Sequence, residues 1–78
     1  MKIKDPSEAV LELEDKPEAY LLNDYEDAAI RWITENGTRQ YFRKFKGKKE
    51  FPTERSNRIV FDAILGMDEI EKSAYDSF

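Results

Sequence analysis

The chain has no cysteine and no histidine. Without cysteine there is no disulfide staple, no thiolate zinc site and no thiol nucleophile. Without histidine it lacks the usual general base and the commonest metal ligand. Long apolar runs are missing too. The N-terminal MKIKDPSEAV has two lysines but no apolar stretch of the ~7–15 residues that a secretory signal needs. Nothing approaches the ~18 apolar residues of a membrane span. These absences lead us to expect a cytoplasmic protein with no membrane association. Glycine and proline are sparse, three of each among 78 residues, and no repeat or low-complexity linker is present. One small domain over residues 1–78 is expected, with a core worth only ~3–5 kcal/mol net.

Charge is present in quantity and is segregated. Net charge is −4 overall. Residues 1–36 hold four basic and ten acidic side chains, and residues 59–78 hold one and five. Between them, residues 37–58 hold eight basic and two acidic side chains, a local excess of six positive charges. The centre of that block, TRQYFRKFKGKKEF from Thr38 to Phe51, carries six cations, one acid and four aromatics. Either it is an interaction surface or it neutralises the acidic flanks within the fold.

The coarse order of elements reads as α+β: three to four short helices on a β-hairpin, widened to a three-stranded antiparallel sheet if Ala19–Leu22 joins it. Asp5-Pro6-Ser7-Glu8 starts a helix by cap, first-turn proline and capping box, and it runs to about Asp15. The alternation in Leu11-Glu12-Leu13-Glu14 is a counter-signal favouring a strand. Asn23 with Glu26 makes a second capping box. Tyr25, Ala28, Ala29, Trp32 and Ile33 then follow at helical spacing, predicting a helix closed by Gly37, with Arg31 paired to Asp27 or Glu35 on its outer side. Thr38–Lys46 and Lys49–Thr53 read as strands joined by Gly47-Lys48, a register that sets Lys44 opposite Phe51 and Tyr41 opposite Glu54. Pro52 restricts the second strand to an edge. Ser56 is expected to cap a helix over Asn57–Leu65 with Ile59, Val60, Ala63 and Ile64 buried. Asp68 with Glu71 is expected to open a last helix burying Ile70, Ala74 and Phe78.

Catalytic and metal signals are weak. None of the serines lies in a nucleophile elbow, and a chain this short scarcely builds a cleft around a carboxylate pair. The acid groups around Asp24 and Asp68 sit at helix starts, where they favour the dipole, and they lack the central glycine of a calcium loop. No phosphate-binding glycine loop is present. The pair of helices around Gly66 has an acidic second member, which would repel DNA. Asn36-Gly37-Thr38 matches a glycosylation sequon, but it reads as a turn. No enzyme, cofactor or metal is expected.

The chemistry therefore falls to Arg39, Tyr41, Arg43, Lys44, Lys46, Lys48 and Lys49. A non-enzymatic intracellular protein that binds an unidentified protein partner, or itself, through complementary charge is the first reading. Nucleic-acid binding through the basic-aromatic hairpin 38–51 is the second, since bases stack on aromatics while cations meet phosphates. A pI near 4.8 weighs against it.

Overall fold

The computed structural model describes residues 6–78, so the expected cap at Asp5 lies outside the described residues. Four strands form one antiparallel open sheet in the order β1 (Glu18–Asn23), β2 (Ala28–Glu35), β3 (Thr38–Phe45), β4 (Phe51–Thr53). Among the described residues three α-helices complete the α+β fold: α1 (Pro6–Glu14), α2 (Arg58–Gly66) and α3 (Lys72–Asp76).

One sheet face carries Ala19, Leu21, Ile30, Trp32 and Tyr41. Val10 and Leu13 of α1 and Ile59, Val60, Ala63 and Ile64 of α2 pack against it. Trp32, Leu21 and Ile30 are fully buried there. The expected apolar stripe of α2 is the stripe that packs. Its cap is Asn57 rather than Ser56: the Asn57 side chain accepts from the Ile59 N–H, and Met67 in the left-handed region closes the far end. The α1 helix forms as expected, with Leu13 buried and Leu11 exposed.

The expected helix from Asn23 to Gly37 is a strand. The Asn23–Glu26 cap does form, at 3.2 Å, but it closes only one 3-10 turn, Asp24–Glu26. Asp27 then adopts a left-handed conformation and the chain enters β2. Tyr25, the expected first residue of the apolar stripe, is exposed. β2 is a central strand, and Ala28, Ala29 and Ile30 are buried in succession, so its period-two signal is erased. Asn36 and Gly37, both at positive φ, make the two-residue β2–β3 turn, with Glu35 opposite Thr38. At Gly37, φ is +78° and no atom lies near an added Cβ, so only backbone strain opposes a side chain. Gly37→Ala is expected to lower stability by about 1 kcal/mol, measured as a shift in urea midpoint at unchanged slope.

The β3–β4 register is one residue away from the expected one: Arg43 faces Phe51, Phe42 faces Pro52 and Tyr41 faces Thr53. The loop 46–50 replaces the two-residue turn. The strand faces change accordingly, Phe51 joining Tyr41, Arg43 and Phe45 on the helix-packed side. Pro52 lies on the edge strand, as its missing N–H requires. At the other edge, residues 68–70 run beside β1: the Leu22 N–H donates to the Asp68 carbonyl and the Ile70 N–H to the Tyr20 carbonyl, both at 2.9 Å. The expected capping box at Asp68 is thus an edge cover, and α3 begins only at Lys72, with no side-chain cap. Tyr75 is the residue of α3 that is buried, while Ala74 is exposed.

Candidate functional site

The seven sequence-selected residues fall into three places. Arg39, Tyr41 and Arg43 lie on the helix-packed face of β3, Lys44 lies on the opposite face, and Lys46, Lys48 and Lys49 lie on the loop 46–50.

The first three are engaged within the fold. The Arg39 guanidinium donates to the Glu14 carbonyl at 2.6 Å and the Lys16 carbonyl at 2.9 Å, and sits over the Trp32 ring. It thereby satisfies carbonyls at the end of α1, where a cation also suits the helix dipole. The Tyr41 ring packs on Trp32 with centroids 5.8 Å apart. Arg43 donates to the Asn57 side-chain oxygen at 3.2 Å, the same oxygen that caps α2, and stacks on Phe51 and Phe45. Its Nε is buried without a hydrogen-bond partner, so its position is held by stacking as much as by bonding. The aromatics of the segment have neighbours as well, although Phe51 stays exposed. Phe42 lies 4.3 Å beneath the Arg31 guanidinium, and Phe45 and Phe51 face each other.

The other sheet face holds a different arrangement. Alternation along the strands brings Tyr20, Arg31 and Lys44 to one side, and Tyr75 of α3 lies over them. The centre is Glu50, from the loop 46–50. Arg31 grips it with two parallel hydrogen bonds, 2.8 and 2.7 Å, and the Tyr75 hydroxyl donates a third at 2.6 Å. The Arg31 bonds, aided by the Tyr75 hydroxyl, hold the Glu50 carboxyl down at about 2, against the opposing effect of burial. Burial first, then the bond to Glu50, pushes the Tyr75 phenol well above its usual value, and burial with the bond to Glu18 raises Tyr20 to about 12. Both phenols stay protonated and Glu50 stays ionised across the physiological range. None of the three is poised to transfer a proton near neutrality.

Beside this cluster opens a cleft of about 420 Å³ between α3 and the loop 46–50. Lys44, Lys48, Lys49 and Lys72 line it with Arg31, against the acids Glu50 and Asp76. Lys48 and Lys49 are exposed and make no ion pair with any of the described residues. Lys46, also exposed, extends the same loop. Arg31, Lys72, Tyr20 and Tyr75 were not singled out from the sequence. Arg31 read as the outer side of a helix, and only the strand pairing reveals that it reaches Glu50. Among the described residues no group of acids is placed to hold a metal ion, and no helix is long and apolar enough to cross a membrane.

No family model matches the chain, and neither a curated protein nor a solved structure does.

Proposed function

We propose that this is a non-enzymatic binding protein of the cell interior, which takes a protein partner carrying negative charge onto the lysines of the loop 46–50. The observation that carries the reading is the division within the basic segment. Arg39, Arg43 and Lys44 each have hydrogen-bond partners inside the fold, whereas Lys46, Lys48 and Lys49 are exposed and form no ion pair among the described residues. Exposed lysines of one sign on an otherwise acidic chain favour steering of an anionic partner over intramolecular neutralisation.

The second reading, nucleic-acid binding, has the same lysines in its favour. Its stacking platform is what weakens it. Tyr41, Phe42 and Phe45 have rings or guanidinium groups against them, and Phe51, with Arg43 over it, is the one ring of the hairpin that stays exposed, so the hairpin offers bases a small stacking platform.

The test is affinity capture by the wild type and by the triple variant Lys46→Glu, Lys48→Glu, Lys49→Glu. Fluorescence anisotropy with single- and double-stranded oligonucleotides is run beside it at two salt concentrations. A partner held by the wild type and released by the triple variant, with an unchanged thermal midpoint, is the expected result. Micromolar, steeply salt-dependent oligonucleotide binding that the triple variant abolishes would replace the protein reading with the nucleic-acid one.

A further inference from the structure

We infer that the cleft between α3 and the loop 46–50 is a site for a phosphomonoester dianion. The inference deepens the protein-binding reading and rests on it for the role of the loop lysines.

Charge within the cleft does not balance. Glu50 is consumed by Arg31 and Tyr75, and Asp76 pairs with Lys72 at 2.8 Å. Removing those two pairs from the lining leaves three ammonium groups, Lys44, Lys48 and Lys49, without an ion-paired carboxylate of their own among the described residues. Lys44 is the telling one. It is only 9% exposed, and an ammonium carries three donors. The described residues offer it one hydrogen-bond acceptor, the Asp76 carbonyl at 3.3 Å, and the face of the Tyr75 ring. Glu50 acts on it only through space and is already held by Arg31 and Tyr75, so two of the ammonium's three donors stay open to an anion in the cleft.

The donor set selects the anion. A lone carboxylate is planar, carries one charge and is best matched by a guanidinium fork. The only fork in the cleft, Arg31, is already filled by Glu50. The phenol hydroxyls are spent as well, Tyr20 donating to Glu18 and Tyr75 to Glu50. What remains is a set of point charges with rotatable donors. These suit a tetrahedral group with nearly two negative charges and three strong acceptor oxygens. Lys72 can add a fourth ammonium, because its pair with Asp76 is exposed and cheap to exchange.

The test is calorimetric titration at low salt with four probes: a short uncharged peptide bearing one phosphoserine, the same peptide with serine, the same with glutamate, and free O-phosphoserine. Saturable binding of the phosphopeptide is expected, with none by the serine peptide and at least about tenfold weaker binding by the glutamate peptide. Lys48→Gln and Lys49→Gln should each weaken phosphopeptide binding by about tenfold, one charge-assisted bond apiece. Both positions are exposed, so the thermal midpoint should hold. Lys44→Met should weaken binding too, while keeping the apolar stem against Tyr75. Tighter binding of the phosphopeptide than of free O-phosphoserine identifies a phosphorylated side chain of the partner. Equal binding identifies a small phosphorylated metabolite. Equal binding of the phospho- and glutamate peptides would overturn the phosphate site and leave the protein-binding reading standing. Phosphoserine binding together with partner capture that survives the triple lysine variant would keep the site and remove that reading. Absence of any saturable binding would overturn the site outright.

Discussion

Replacing Trp32 by alanine is expected to unfold the protein at room temperature. Trp32 is fully buried at the centre of the sheet. Its indole N–H donates to the Lys16 carbonyl at 2.8 Å, its ring packs on Tyr41, and the Arg39 guanidinium lies over it. Truncating a buried tryptophan costs about 3–5 kcal/mol. A domain of this size has only ~3–5 kcal/mol to lose. The loss also reaches α1, because the Lys16 carbonyl is shared by Trp32 and Arg39. Far-ultraviolet circular dichroism should show a mainly disordered chain for Trp32→Ala. Trp32→Phe should keep the fold with a lowered urea midpoint, since it keeps most of the volume but gives up the N–H bond.

Arg31→Met is expected to produce the second large effect, and one that reports through pH. Glu50 titrates at about 2 in the folded protein against an ordinary value of 4.5. A depressed carboxylate stabilises the fold fully above its unfolded value and loses that stabilisation as the pH falls through its folded one. The wild type should therefore lose stability between pH 4.5 and about 2 through this group. The side chains of the pair are 21% and 30% exposed, so solvent screening reduces the contribution to about 1–2 kcal/mol. Arg31→Met should cost about 2–3 kcal/mol near neutrality, because it leaves a partly buried carboxylate with only the Tyr75 hydroxyl and the nearby Lys44 charge to compensate it. It should also shrink the acid trend, since the Tyr75 bond and the Lys44 charge alone then hold the Glu50 carboxyl down against burial. Glu50→Gln should flatten the dependence. Urea midpoints at several pH values measure both; an Arg31→Met profile parallel to that of the wild type would show the pair to be energetically idle.

These two residues show where sequence reading stopped. The stripe of α2 was legible because one side packs and the other is wet, so the helical period survives. The β-prone character of β3 was legible from its aromatics. The β2 strand was not, for a physical reason. Both of its faces are covered around Ala28–Ile30, and a doubly buried strand has no alternation to display. The adjacent Ala28-Ala29 and the genuine cap at Asn23 then imitated a helix whose first turn exists and whose continuation does not. Asn36-Gly37 was the signal that outweighed it, as a primed hairpin turn needs positive φ at both positions. The candidate site was half legible. Lys44, Lys48 and Lys49 stood out by charge, and all three line the cleft. Arg31, Glu50 and Tyr75 did not, since what joins them is strand register and the placement of α3, neither of which leaves a local mark. The one-residue difference in the β3–β4 register set Phe51 on the helix-packed side and followed from a loop longer than two residues.

Thermal unfolding of two charge-neutralised triple variants tests the division of the basic segment most directly. One is Arg39→Gln, Arg43→Gln, Lys44→Gln; the other is Lys46→Gln, Lys48→Gln, Lys49→Gln. If the strand residues hold the fold and the loop residues face a partner, the first variant melts far below the wild type and the second melts with it. A second variant that melts as low as the first would mean that the loop lysines neutralise the acidic helices, and the binding surface would have to be sought elsewhere.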